Sequence, residues 1–201
     1  MDGKTMNKSI VLAVITVVSA LLISGFEFLL FEKRAVTKQN EELKIQKKFF
    51  PDALSFEKIE DDFILAKNSK KKTIGYIYFA EDSNGYGGNI RFMVAVDINW
   101  KIIDFIMLDG HSETPGLGSQ ANDDWFRKAF KGVKALSKEL PASKKDFQKK
   151  LKIDAISGAT ITSMATVHAI GKTGDNYQGW HKNVLRQKFI KTHAIYFEEI
   201  N

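Results

Sequence analysis

Residues 154–164 read Asp-Ala-Ile-Ser-Gly-Ala-Thr-Ile-Thr-Ser-Met, and they place the hydroxyl of Thr160 where a tight turn of small residues opens a helix. A helix start carries unpaired backbone N–H groups and a partial positive charge, so phosphate is the ligand it suits. A hydroxyl at that point can go further and be esterified to the phosphate. The competing reading is a helix cap, in which the Thr160 oxygen accepts a hydrogen bond from the first turn.

A second chemically able stretch is His111-Ser112-Glu113-Thr114-Pro115-Gly116-Leu117-Gly118. Proline fixes one φ and the glycines free their neighbours, so this is a rigid loop offering a carboxylate, a hydroxyl and several backbone N–H groups. A third is Asn84-Gly85-Tyr86-Gly87-Gly88, a hairpin connection whose glycines permit positive φ and close backbone approach. Histidines 111, 168, 181 and 193 lack metal-ligand spacing, and the chain has no cysteine. Disulfides, thiolate metal sites and iron–sulfur clusters held by this chain are thereby excluded.

The Ser-Gly-Ala-Thr box ending at Thr160 and the loop from His111 to Gly118 resemble two motifs of the RnfG/NqrC family, in the family's order and at similar separation. The Gly-Tyr-Gly-Gly run at 85–88 is similar to runs in the same family. The resemblance implies one FMN joined to Thr160 through a phosphoester, with Ser157, Gly158 and Ala159 kept small so that the acceptor loop can enter a flavin transferase. It implies that Asp154 is the acid recognised by that transferase, turn formation being the local alternative. Glu113, Thr114, Gly116 and Leu117 are expected to bind the polar edge of the flavin ring. By resemblance the chain relays electrons in a membrane Rnf-type ferredoxin:NAD oxidoreductase complex coupled to Na+ or H+ translocation. It turns over no soluble substrate by itself. The alternatives are a stand-alone membrane-anchored flavoprotein and a non-redox membrane-anchored binding or assembly module.

These loops need elements to hold them. Thr73 to Glu81 alternates with apolar groups on both faces, Asn89 to Asp97 puts Ile90, Phe92, Val94 and Val96 on one face, and Lys101 to Asp109 follows a short turn. These are three antiparallel strands. A helix is expected from Asn122, as N-cap, to Lys131, ended by Gly132, with Trp125, Phe126, Ala129 and Phe130 on its core face. Residues 133–150 read as loop and amphipathic helix, with Leu136, Leu140, Phe147 and Leu151 available for burial. Ile153 to Ile156 reads as a short strand or turn, and a helix follows Thr160. His168 is a packed or partly exposed position on it. The tail suggests a closing helix over Trp180 to Phe189 and a last strand over Ala194 to Phe197.

From Ile10 to Phe26 the chain carries no charge, and the apolar run resumes after Glu27 to Phe31. As a helix the whole run is roughly 33 Å long, close to a bilayer core. No small-x-small cleavage site follows, so a retained anchor is expected rather than a signal peptide. Residues 32–48 are polar and continue the helix as a stalk, ended by Phe50-Pro51. The expected architecture is α+β: a single N-terminal transmembrane helix (1–31), a polar stalk (32–50), and an antiparallel-sheet FMN-binding domain with packed helices (51–201).

Lys4 and Lys8 precede the span, whereas Lys33, Arg34, Lys38, Lys44, Lys47 and Lys48 follow it. Taken alone, the positive-inside rule leaves the large domain in the cytoplasm. The resemblance implies the extracytoplasmic face, and that expectation is adopted because the rule is weak for long translocated domains. A covalent tether suits a compartment where lost FMN is not replaced. Net charge is +6, with lysines at 70–72 and through 144–152 that read as solvated faces. Without a nucleic-acid motif they indicate no nucleic-acid partner. The expected partners are the membrane, other membrane proteins of the complex and the flavin transferase.

Overall fold

The computed structural model describes the backbone of residues 3–108 and 113–198, and the side chains of 8–27, 37, 39–108 and 113–180. His111 and Ser112 of the second motif, and the side chains of the tail, lie outside the described residues. By its contacts the chain divides into two units, Met1–Lys48 and Phe49–Asn201.

Helix α1 runs from Gly3 to Phe49. Its segment Lys8–Glu27 has a mean hydropathy of 2.5 and buries none of its surface within the chain. A helix that is apolar on all sides yet covered by nothing in its own chain needs an apolar solvent or partner helices. Its 20 residues span about 30 Å. This supports a single-pass membrane anchor.

The second unit is built on five antiparallel strands: β1 (Ser55–Glu60), β2 (Phe63–Lys67), β3 (Thr73–Gly85), β4 (Gly88–Asp97) and β5 (Ile102–Met107), in the spatial order of the chain. Strands β3, β4 and β5 lie where the alternation predicted them. Strands β1 and β2 were not predicted. Register pairs Tyr76 with Val96, Tyr78 with Val94 and Phe92 with Met107. These side chains share the core face. Ile77, Met93 and Ala95, on the opposite face, are also buried, which is why β3 reads as apolar on both sides.

The β4–β5 turn is closed by Asp97, whose Oδ1 accepts from the N–H groups of Asn99 and Lys101. This holds Trp100 at φ 64°, with its ring stacked on Tyr76 at 5.3 Å.

After β5 come a short 3-10 helix (Gly118–Asn122) and helices α2 (Asp124–Ala129), α3 (Asp146–Leu151) and α4 (Thr160–Glu198). In this half the fold departs from the sequence-based expectations. Asn122 does not cap α2; its side chain accepts from the Met107 N–H and donates to the Met107 carbonyl, splicing the 3-10 helix to β5. The residue before α2 is Asp123, without a side-chain cap, and α2 ends at Ala129 rather than Lys131. Trp125 is 43% exposed and not a core residue, whereas Phe126 and Phe130 are fully buried. The expected strand at Ala194–Phe197 is helix, because α4 continues unbroken to Glu198. Ile153–Ile156 forms no strand.

Helix α4 crosses the core face of the sheet. Its Ile170 carbonyl accepts from the buried Tyr78 hydroxyl at 3.1 Å. Burial, helped by the charge of Asp175, pushes the Tyr78 phenol well above its usual range, so it stays a donor at any ordinary pH. Leu136, Leu140, Phe147 and Leu151 are buried as their spacing predicted.

Candidate functional site

The turn ahead of α4 is built from local chemistry. Helix α3 stops where Lys152 turns left-handed at φ 61°. The chain then reaches a reverse turn in which the Ala159 N–H donates to the Ile156 carbonyl at 3.0 Å. Gly158 adopts φ +73°, a left-handed conformation that favours glycine, and a Cβ there would press on the Leu117 side chain at 3.1 Å.

Ser163, fully buried one turn into the helix, fastens the turn from inside. Its hydroxyl donates to the Ala159 carbonyl and accepts from the Ile156 N–H, both at 2.9 Å.

The residue ahead of α4 is therefore Ala159, and Thr160 is the first helical residue. The cap reading of Thr160 is set aside: no described residue hydrogen-bonds its hydroxyl. The N–H groups of Thr160, Ile161 and Thr162 likewise have no partner among the described residues, since the first bond into the helix is from Ser163 N–H to the Ala159 carbonyl. Among the described residues, one helix end thus presents a hydroxyl and three N–H donors without partners.

The loop after β5 comes to the same place. The Thr114 carbonyl accepts from the Leu117 and Ser119 N–H groups, and the Ser119 hydroxyl oxygen accepts from the Gly116 N–H. Glu113 is only 2% exposed. One of its carboxylate oxygens accepts from the Thr162 hydroxyl at 2.6 Å and the other from the Gly87 N–H at 3.1 Å. A buried carboxylate is tolerated only when its oxygens are satisfied. Here those bonds tie the β3–β4 hairpin, the loop and the first turn of α4 together. A Cβ at Gly118 would collide with that carboxylate, so a glycine is required there by proximity.

Between these segments lies a cleft of about 400 Å³, within the range of small-molecule sites. Six of the residues predicted from sequence line it: Glu113, Thr114, Leu117, Gly158, Ala159 and Thr160. Ser157 and Gly116 do not line it; both are exposed beside it.

Four lining residues were not predicted: Tyr86, Gly118, Ile161 and Thr162. Tyr86 is 71% exposed, Ile161 54% and Leu117 41%, an apolar rim left in the open around a polar floor. All four stood inside stretches already singled out, Tyr86 and Gly118 in the two loops and Ile161 and Thr162 in the 154–164 run, but none had been assigned to the site. Asp154 is exposed outside the cleft and hydrogen-bonds to no described residue.

Residues 85–173 match the FMN-binding domain family, a span containing every residue of the cleft. The G component of the proton-translocating ferredoxin:NAD(+) oxidoreductase complex of Clostridium ljungdahlii is 39% identical over 140 residues, covering 69% of this chain and 71% of its own. The chain belongs to the RnfG/NqrC family. Members are FMN-binding subunits of ion-translocating oxidoreductase complexes.

Two further relatives are the G components of ion-translocating oxidoreductase complexes. The one from Buchnera aphidicola subsp. Acyrthosiphon pisum is 32% identical, over 68% of this chain and 80% of its own. The one from Methanosarcina acetivorans is 27% identical, over 87% and 95%. Among solved structures, the C component of a Na(+)-translocating NADH-quinone reductase from Parabacteroides distasonis aligns over 54% of this chain and 56% of its own, with 24% identity and a TM-score of 0.38.

The cleft fits FMN by its donor set. The helix end offers N–H groups for a phosphate, Thr160 offers the hydroxyl for an ester, and the rim offers apolar surface for a flat ring.

Proposed function

We propose that this RnfG-like chain carries one FMN esterified to Thr160 and relays electrons within a membrane ferredoxin:NAD oxidoreductase complex coupled to Na+ or H+ movement. The observation that carries the proposal is a Thr160 hydroxyl without a partner among the described residues, at a helix end whose N–H groups likewise have none among them, beside the Glu113–Leu117 loop. FMN, when attached, supplies one- and two-electron redox chemistry at its ring.

The chain's own residues do the rest. The N–H groups of Thr160, Ile161 and Thr162 hold the phosphate and favour its charge. Glu113, fixed by Thr162 and Gly87, holds the loop against α4, where Thr114 and Leu117 would help hold the flavin. The exposed rim of Tyr86, Leu117 and Ile161 would leave bound FMN accessible to redox partners, as an electron relay requires.

In maturation Thr160 loses its hydroxyl proton and forms the Oγ1–P bond to the FMN half of FAD, while the pyrophosphate bond breaks and AMP leaves. Exposure of Ser157, Gly158 and Asp154 supports access by the transferase, with Asp154 as its recognition acid. The flavin domain lies on the extracytoplasmic face, anchored by α1 beside the complex's other membrane proteins.

Peptide mass spectrometry of chain purified from its native membrane tests the proposal. An FMN adduct is expected on the Thr160 peptide, and T160A is expected to lose the adduct and in-gel flavin fluorescence while keeping its thermal unfolding midpoint. An unmodified Thr160 in native material would reject it. Retention of several integral-membrane partners on purification separates the complex from a stand-alone flavoprotein.

A further inference from the structure

The proposed complex has to be held together by surfaces outside the flavin cleft, and β3 offers one. Strand β3 pairs with β4 as far as Gly85 but with β2 only as far as Tyr78, because β2 begins at Phe63. The Phe79 N–H is the last group joined on that side, donating to the Asp62 carbonyl at 3.0 Å. Backbone groups two residues apart face the same way in a strand, so the N–H and C=O of Glu81 also point to the open side. The far side agrees: Arg91, opposite Glu81, turns its carbonyl to the Leu108 N–H beyond the next strand at 2.8 Å. Among the described residues nothing pairs with this edge. An unpaired edge is a template for another strand.

The edge opens onto a cleft of about 450 Å³. Glu60, Asp62 and Glu81 line it with Arg91, and Tyr177 and Trp180 form its aromatic wall. Arg91 is engaged with Asp62 at 2.8 Å, whereas Glu60 and Glu81 are exposed and have no ion pair among the described residues. Tyr177 and Trp180 are held in place by Phe63, at ring separations of 4.6 and 5.7 Å.

In a chain of net charge +6, this cleft is locally acidic. Carboxylates beside aromatic faces favour an ammonium or guanidinium group. They disfavour anionic lipid headgroups and nucleic acid, whose attraction depends on positive charge. A free organic cation would leave the backbone edge unmet, whereas an extended peptide meets both.

We propose that the Glu81 edge of β3 docks an extended, basic segment of a neighbouring protein of the complex, which adds a strand to the sheet and seats a Lys or Arg side chain in the Glu60–Trp180 cleft. The identity of the neighbour rests on the complex proposed above; the docking chemistry does not.

The test uses the full chain in its native membrane with a photo-crosslinking amino acid in place of exposed Ser83, and a control at exposed Lys145. The Ser83 position is expected to cross-link to one segment of one partner protein, with Lys or Arg in that stretch identified by peptide sequencing. Charge reversal with E60K and E81K is expected to lower that yield about tenfold, and the milder E60Q and E81Q to lower it less. E81P, which removes the outward N–H without touching the β4 ladder, should lower it with the charges of Glu60 and Asp62 intact. Cross-links confined to lipid or to this chain, yields equal to the Lys145 control, or indifference to charge reversal would each overturn the proposal. Flavin content on Thr160, measured in the same samples, reports separately on the flavin reading and on correct folding.

Discussion

Glu113 shows how much of one residue's work lies outside its own motif. It lines the cleft that also holds Thr160, and its carboxylate oxygens are occupied by Thr162 and the Gly87 N–H. Those partners stand 49 and 26 residues away in the chain, so no local pattern could announce them. The physical consequence is testable. T162V removes the hydroxyl donor and is expected to cost about 1–3 kcal/mol, the usual penalty for stranding a buried polar partner, whereas T162S restores most of it. Thermal melts of the detergent-solubilised chain read the difference. G118A should displace the same carboxylate by steric collision; the expected result is a lowered melting midpoint together with a shifted visible absorbance of the bound flavin.

At the scale of elements, the start of α4 is held by a side chain inside the helix rather than by a cap in front of it. Ser163 bonds the Ile156 N–H and the Ala159 carbonyl, fastening the 156–159 turn, while the first-turn N–H groups that a threonine cap would bond have no partner among the described residues. S163A is therefore expected to loosen the 156–159 turn and lower the yield of flavin attachment, seen as a smaller FMN-bearing fraction by intact mass.

Helix α2 is tuned by exposed charge. Hydrogen bonds from Lys128 and Arg127 hold the Asp124 carboxyl at about 2, below its usual 3.8. Because the folded value is depressed, the stabilisation is complete above the unfolded value and is lost as pH falls through the folded one. The melting midpoint of the native chain should thus fall more than that of D124N between about pH 4 and pH 2; parallel curves would remove Asp124 from the account.

Strands β1 and β2 escaped the sequence pattern for a reason that also lies at this scale. β1 (Ser-Phe-Glu-Lys-Ile-Glu) is almost wholly exposed and lacks strict alternation, and β2 is a five-residue apolar run compatible with either helix or strand.

For the whole molecule, the matter to test is which face of the membrane carries the sheet. The lysines after the apolar span favour the cytoplasm and the family reading favours the opposite face. The chain contains no cysteine, so a single K145C substitution on the exposed surface gives an unambiguous reporter. Labelling of intact cells by a membrane-impermeant maleimide is expected; labelling only after lysis would place the flavin domain in the cytoplasm. The cleft at the β3 edge and the cleft at Thr160 share no lining residue, so the docking proposal and the flavin proposal can be tested independently.

What the chain could state by itself were patterns between near neighbours. The uncharged stretch at Ile10–Phe26, the alternation of β3 and β4, the apolar positions Leu136, Leu140, Phe147 and Leu151 and the two small-residue loops can all be read within short windows of the chain. Long-range packing decided the rest: the meeting of Glu113 with Thr162, the exclusion of Trp125 from the core, the splice of Asn122 to β5, and the place where β2 stops short of β3's length. Such contacts join residues whose separation along the chain carries no period. They exist only once the sheet and α4 have closed on each other, and so they belong to the folded molecule rather than to any segment of it.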